Sequence, residues 1–202
     1  ADEGNDRVET TVSYTIGNNI EDLTLLGAGA INGTGNGDAN ILTGNGNANI
    51  LNGMGGNDVM FGGDGGDTLI GGADSDQLKG NDGDDHLFGG SERDNLFGGD
   101  GADSFYFGDM GALHRDKIRD FHAADDTIML DTGVFTQLAT GTLEAGAFVI
   151  GTSAGDADDR IIYDSVSGNL WYDSDGDGAA AQVIFAIVDP AVALTNLDFV
   201  CF

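Results

Sequence analysis

Residues 62–70 read Gly62-Gly63-Asp64-Gly65-Gly66-Asp67-Thr68-Leu69-Ile70. A hexad of glycines and acids is followed by a triad centred on one large apolar side chain. Glycine-rich hexads tolerate positive φ and tight turning. The triad suits a short strand with one inward residue. The same unit repeats on both sides. Glycine returns at Gly35, Gly44, Gly53, Gly62, Gly71, Gly80, Gly89 and Gly98. Five residues after each glycine stands Asn40, Asn49, Asp58, Asp67, Asp76, Asp85, Asp94 or Asp103. Two residues further stands Leu42, Leu51, Met60, Leu69, Leu78, Leu87, Leu96 or Phe105. A flexible acidic linker does not keep three residue types in phase in this way.

Two such units complete one coil of a flattened, right-handed parallel β-roll, with strands of successive coils about 4.8 Å apart. The apolar residues fill a thin interior, and the turns form two ladders along the edges. Turns starting at Gly35, Gly53, Gly71 and Gly89 share one edge; those at Gly44, Gly62, Gly80 and Gly98 share the other. The third position separates the edges, with Asp64, Asp82 and Asp100 against Gly55, Ala73 and Ser91. The fourth agrees, with Gly65, Gly83 and Gly101 against Asp74 and Glu92. The two-unit coil is therefore visible in the sequence.

The chain has 202 residues, 35 Asp+Glu against 7 Lys+Arg, and a formal charge of −28. That balance is the opposite of a nucleic-acid footprint. Cys201 stands alone, which excludes a disulfide scaffold. No apolar run reaches the roughly 18 residues of a membrane helix. The opening Ala1-Asp2-Glu3-Gly4 is neither basic nor followed by an apolar stretch, so no export signal starts there. High charge with abundant glycine suggests disorder. Yet 40% of the residues are apolar and 11 are Phe, enough for a core. The acids therefore call for a bound neutralising partner. Stacked turns bring pairs such as Asp67 and Asp85 together, and like charges at that range repel unless a cation lies between them. Calcium fits, because it is hard and accepts six to eight carboxylate and carbonyl oxygens. Zinc prefers His or Cys, which the repeats lack except for His86. Magnesium tolerates such an all-protein cage poorly.

The unit resembles the calcium-binding nonapeptide of RTX proteins. That resemblance implies a calcium between two turns of one edge. The earlier turn supplies the carbonyls of its second and fourth residues and its Asp; the later supplies those of its first and third residues and its Asp. Carried onto this chain, one site joins Met54, Gly56 and Asp58 to Gly71, Ala73 and Asp76. A second joins Gly63, Gly65 and Asp67 to Gly80, Asp82 and Asp85. A third joins Gly72, Asp74 and Asp76 to Gly89, Ser91 and Asp94. A fourth joins Asn81, Gly83 and Asp85 to Gly98, Asp100 and Asp103. Four good sites are expected. The turns with Asn40 or Asn49 lose a charge and should be weaker or empty.

Residues 1–34 read as strands leading into the roll. Gly4-Asn5-Asp6-Arg7-Val8 looks like the end of another repeat, which suggests a longer upstream protein. Val12, Tyr14 and Ile16 alternate, as do Leu23 and Leu25, around a Gly17-Asn18-Asn19 turn. Residues 35–106 form the roll. Residues 107–202 form an antiparallel sheet or sandwich that caps its open end. Strands are expected over Thr127–Leu130, Ala147–Ile150, Arg160–Tyr163, Leu170–Tyr172 and Gln182–Val188. Turns are expected at Ser167-Gly168-Asn169 and Asp173–Gly178.

The cap resembles the C-terminal end of serralysin-type and other RTX secreted proteins. The likeness runs through Asp103–Phe107, Asp116–Phe121, Asp126–Ile128, Arg160–Tyr163 and Leu170–Asp173. It implies a further calcium at the roll–cap junction, with Asp109, Asp116 and Asp126 as candidates. The tail Asp198-Phe199-Val200-Cys201-Phe202 looks like the end of a type I secretion substrate, an acid followed by apolar residues.

Asp173-Ser174-Asp175-Gly176-Asp177-Gly178 matches the start of an EF-hand loop, but Ile184 holds the position of its final Glu, so an acidic turn is favoured. Catalysis is not expected: His86, His114 and His122 make no H-E-x-x-H, and no G-x-S-x-G is present. The resulting expectation is a bacterial, calcium-folded secretion module, found outside the cell or on its surface. The alternatives are an adhesive or surface-layer module for carbohydrate or ice, with Tyr163, Trp171 and Tyr172 as a sugar platform, or the tail of a secreted protease or lipase. Self-association through the flat faces is a further possible contact.

Overall fold

The computed structural model describes residues 4–202. Ala1, Asp2 and Glu3, which open the stretch read above for an export signal, lie outside the described residues. In chain order the strands are β1 (Arg7–Thr10), β2 (Tyr14–Thr15), β3 (Asp22–Leu25), β4 (Gly33–Thr34), β5 (Ile41–Thr43), β6 (Ile50–Met54) and β7 (Val59–Asp64). There follow β8 (Thr68–Gly72), β9 (Gln77–Asp82), β10 (His86–Gly90), β11 (Asn95–Asp100), β12 (Ser104–Phe107), β13 (Asp116–Ile118) and β14 (Thr127–Leu130). The last six are β15 (Gly141–Thr142), β16 (Phe148–Ile150), β17 (Ile161–Tyr163), β18 (Asn169–Tyr172), β19 (Val183–Ile187) and β20 (Phe199–Cys201). Among the described residues no helix is long and apolar enough to cross a membrane.

Two sheets face each other. One runs β1-β3-β5-β7-β9-β11-β13-β19-β18-β17-β16, the other β15-β20-β14-β12-β10-β8-β6-β4-β2. Within the roll, odd and even strands segregate because successive turns reverse the chain, and every pairing from β1 to β14 is parallel. The register turns the apolar rhythm into two core columns. Leu23, Leu42, Met60, Leu78, Leu96 and Ile118 stack in one sheet. Leu51, Leu69, Leu87, Phe105, Ile128 and Phe199 stack in the other. All twelve are fully buried; at roughly 1.5–3 kcal/mol for each large apolar side chain, these columns provide the main cohesion of the interior.

The stacking begins before the nonapeptides do. β1 to β4 already pair in parallel with their successors, so residues 7–34 contribute coils of the same two sheets. Ile16, Leu23 and Leu25 are buried as the alternation requires, but Val12 and Tyr14 are exposed. At the other end both sheets continue into the cap without a break. The hairpins β17–β18 and β18–β19 are antiparallel, as is β15–β20. The cap is not wholly antiparallel, however: β13–β19, β14–β20 and β16–β17 are parallel. Strands β19 and β20 add directly to the last coil, so they inherit its direction. Phe107, Phe135, Tyr172 and Phe185 meet edge-on, with centroids 5.1–5.4 Å apart, and fill the end of the interior.

Candidate metal centre

The last residue of each hexad projects inward from the turn, where the coil above supplies a backbone donor. Oδ1 of Asp58, Asp67, Asp76, Asp85, Asp94 and Asp103 accepts the N–H of Asn40, Asn49, Asp58, Asp67, Asp76 and Asp85 respectively, at 2.7–2.9 Å. Each bond ties one coil to the next. The second oxygen, Oδ2, of the same six residues is buried with no hydrogen-bond partner. Six buried, unpartnered carboxylate oxygens in two regular columns are costly unless something binds them.

The neighbouring backbone suits a cation. A methyl group added to Gly71 would fall against Asp76 Oδ2 and the Gly89 carbonyl oxygen. Gly53, Gly62 and Gly80 meet the equivalent pair in their own turns. The first-residue carbonyl of each turn thus points back towards the earlier coil. Second- and fourth-residue carbonyls point forward: Met54 O faces Gly72, Asn81 O faces Gly99, and Gly65 O faces Gly83. The third-residue carbonyls of Asp82 and Asp100 point back and accept the N–H of Gly65 and Gly83 at 2.7 and 2.8 Å. On the other edge Met54 O and Gly72 O accept the N–H of Ala73 and Ser91 at 3.1 and 2.9 Å. Carbonyls of all four kinds therefore face the gap between coils. The geometry requires left-handed backbone at the second residue, where Gly72 has φ +112° and Asn81 φ +80°; glycine adopts this without strain.

Among the described residues no three His, Cys, Asp or Glu side chains are grouped to hold an ion by themselves. Two carboxylates plus carbonyls make an all-oxygen donor set, which fits calcium and does not fit zinc. Electrostatics in the metal-free fold point the same way. Desolvation, only partly offset by the backbone N–H bond, pushes Asp58, Asp67, Asp94 and Asp103 up to about 6 from 3.8. Burial first, and then the acids on both sides, raise Asp85 and Asp76 to about 7 and about 8.

The Asn turns differ. Asn40 and Asn49 Oδ1 accept the N–H of Asn36 and Asn45, at 2.8 and 2.7 Å. Their amide nitrogens donate to the carbonyls of Ile20 and Ile31 in the preceding coil, at 3.2 and 2.6 Å. Both ends of the amide are satisfied without an ion.

The junction candidates separate. Asp116 Oδ1 accepts the Asp94 N–H at 3.0 Å, and its Oδ2 lies beside Gly89, so Asp116 extends one edge. Burial and the Asp94 charge push it to about 9. Asp109, paired with His114 at 3.2 Å, adds its charge to Asp94 and Asp116. Asp126 joins the opposite edge, accepting the N–H of Asp103 and of His122 at 3.0 and 2.8 Å. One ion cannot draw on all three candidates. Asp120, which accepts the Gly98 N–H at 2.9 Å, belongs with Asp103 and Asp126; sequence reasoning missed it because it falls outside the nine-residue phase.

A family profile described as the RTX calcium-binding nonapeptide repeat (4 copies) matches residues 34–69, 61–96 and 79–109. Residues 34–109 are RTX calcium-binding repeats. The RTX segment covers both columns of unpartnered carboxylates. Among solved structures, the chain is similar to the AlgE6R3 subunit of the Azotobacter vinelandii mannuronan C5-epimerase, at 26% identity and TM-score 0.41, covering 81% of this chain and 78% of that one. It is also similar to the extracellular lipase LipA of Serratia marcescens, at 15% identity and TM-score 0.31, covering 96% of this chain and 42% of that one. No curated protein sequence matches.

Elsewhere, Asp173–Gly178 turns the β18–β19 hairpin. Tyr163 and Tyr172 are buried and bond through their hydroxyls to Val192 O and Gln137 N–H, so the three-ring platform considered above does not form. In the tail, Asp198 closes a capping box with Thr195, and Phe199–Cys201 forms β20 between β14 and β15, with Phe199 and Cys201 buried.

Proposed function

We propose that this chain is the calcium-dependent folding and secretion module of a bacterial RTX exoprotein. The observation that carries the reading is the pair of columns of buried, unpartnered Asp Oδ2 atoms, of which those of Asp58, Asp67, Asp76 and Asp85 lie beside a backbone carbonyl from the next coil. Without calcium, 13 acids in residues 35–106, opposed by Lys79 and Arg93, repel one another in the folded arrangement. The segment then stays unfolded, as passage through a narrow secretion channel requires. Outside the cell, calcium fills the four sites set out above and its binding free energy becomes folding free energy, because the unfolded chain holds no site. Four ions at +2 each offset eight of the 28 net negative charges.

The tail Asp198–Phe202 is read by a type I secretion apparatus while extended, before β20 is enclosed by its neighbours. The module is non-catalytic, and any enzymatic activity belongs to other parts of the parent protein. Adding calcium to chelated protein while following far-UV circular dichroism tests the folding step. A strand signal that grows with calcium, and not with equal magnesium, is expected. A full strand signal in chelator would refute the proposal.

A further inference from the structure

Five of the seven Lys and Arg residues, Lys79, Arg93, Arg115, Lys117 and Arg119, fall within residues 79–119. The register of β9, β11 and β13 places them together where roll meets cap. Lys117 lies beside Asn95, and Lys79 beside Phe97. Arg119 donates from Nε and one Nη to Asn95 Oδ1, at 3.1 and 2.9 Å. Arg93 uses one guanidinium edge on the Ala112 carbonyl, at 3.1 and 2.7 Å. In a chain with 35 acids, Coulomb attraction should distribute seven bases among carboxylates. Yet among the described residues the ion pairs are Arg7–Glu9 and His114–Asp109, and neither involves these five.

A cleft of about 110 Å³ opens between Arg93, Asp94, Asn95, Arg115 and Lys117. Arg115 lines the cleft, and its Nε is buried without a hydrogen-bond partner. A guanidinium binds an oxyanion through charge-assisted hydrogen bonds from its N–H groups. Lys117 stands beside it as a second cation. Asp94 is the one acid lining the cleft. Its Oδ1 is taken by the Asp76 N–H, and its Oδ2 belongs to a calcium turn; to that extent the inference rests on the calcium reading above.

We infer that this cleft binds an oxyanion, a carboxylate, sulfate or phosphate group carried by a larger ligand, with Arg115, Lys117 and Arg93 supplying the positive charge. Lys79, lying over the Phe61 and Phe97 rings at 5.2 and 5.5 Å, and Arg119 continue the positive strip along the sheet. A ligand bearing several such groups would follow that strip.

The test uses the calcium-loaded, isotope-labelled chain. Its amide resonances are followed while sodium sulfate or sodium acetate is added, with sodium chloride at matched ionic strength as control. Saturable shifts centred on Arg93, Asn95, Arg115 and Lys117 are expected. The Arg115→Gln/Lys117→Gln variant should weaken them about tenfold or more, while Arg7→Gln should leave them unchanged. Lys117→Gln alone supplies the comparison if the double variant does not fold. A response to sulfate alone assigns a tetrahedral group, and one to acetate alone a carboxylate; either supports the site. Equal shifts with chloride, or shifts unaffected by the cleft variants, overturn it. A chain that fails to fold with calcium before any anion is added counts against the calcium reading instead.

Discussion

Replacing Asp76 with Asn should cost about twice as much as replacing Asp58 with Asn. Asp76 closes the site that begins at Met54 and opens the one that begins at Gly72, whereas Asp58 belongs only to the first. In each variant the amide has a precedent in this chain. Asn40 and Asn49 occupy the same place in their turns and direct an N–H₂ group towards the preceding coil. The amide oxygen stays beside the first glycine of the turn, where the aspartates hold Oδ2, so the substitution removes a ligand charge but lets the turn close, and the coil should survive. A ligand present at 100 times its dissociation constant stabilises the folded state by about 2.7 kcal/mol. Loss of one site in Asp58→Asn therefore costs about 3 kcal/mol, and loss of two in Asp76→Asn about 5 kcal/mol, at calcium concentrations that saturate the parent. Equilibrium dialysis gives the number of ions bound, and urea unfolding at fixed calcium gives the stability. The count should fall by one for Asp58→Asn and by two for Asp76→Asn. Equal losses, or an unchanged count, would refute the sharing of Asp76 between sites.

The converse substitution, Asn40→Asp, should add a calcium between the turns starting at Gly35 and Gly53, raising the stoichiometry by one; calorimetric titration against the parent reads this directly. Acid should partly substitute for calcium. The folded, calcium-free carboxylates have raised pKa values, so their contribution to stability is fully present below about 4 and is lost as pH rises through about 6 for Asp58 and about 8 for Asp76. Chelated protein should therefore gain strand signal on acidification from pH 8 towards pH 4. Calcium binding near pH 7 starts from an unfolded chain whose carboxylates are already ionised, so the binding enthalpy should not vary with the ionisation enthalpy of the buffer.

The roll was legible in the sequence wherever its period was unbroken. Each nonapeptide specifies its own turn, its inward apolar residue and its inward Asp or Asn, so eight of them specify two edges and two core columns without knowledge of distant contacts. The ends were less legible because the strand register survives changes in turn length. Arg7 pairs with Asp22, and Asp22 with Ile41, at spacings that match no repeat. Asn95 pairs with Lys117 and Ser104 with Thr127 across longer turns. Asp116 and Asp126 thereby fall into line on opposite edges, although nothing local marks them as continuing the ladder. The pairing of β20 with β14 joins residues far apart in the chain and follows from closure of the interior, which no short window of sequence contains. The amide closure at Asn40 and Asn49 also needed the structure, since it depends on which carbonyl of the preceding coil each nitrogen reaches.

Residue-resolved hydrogen exchange with and without calcium tests the central claim most directly. The amides of Asp58, Asp67, Asp76 and Asp85 each donate to the carboxylate of the next coil on the same edge, so their protection reports the stacked turns themselves. With calcium these four amides should exchange slowly. In chelator at neutral pH they should exchange at the rate of an unfolded chain. Equal protection in both conditions would contradict calcium-coupled folding of the roll.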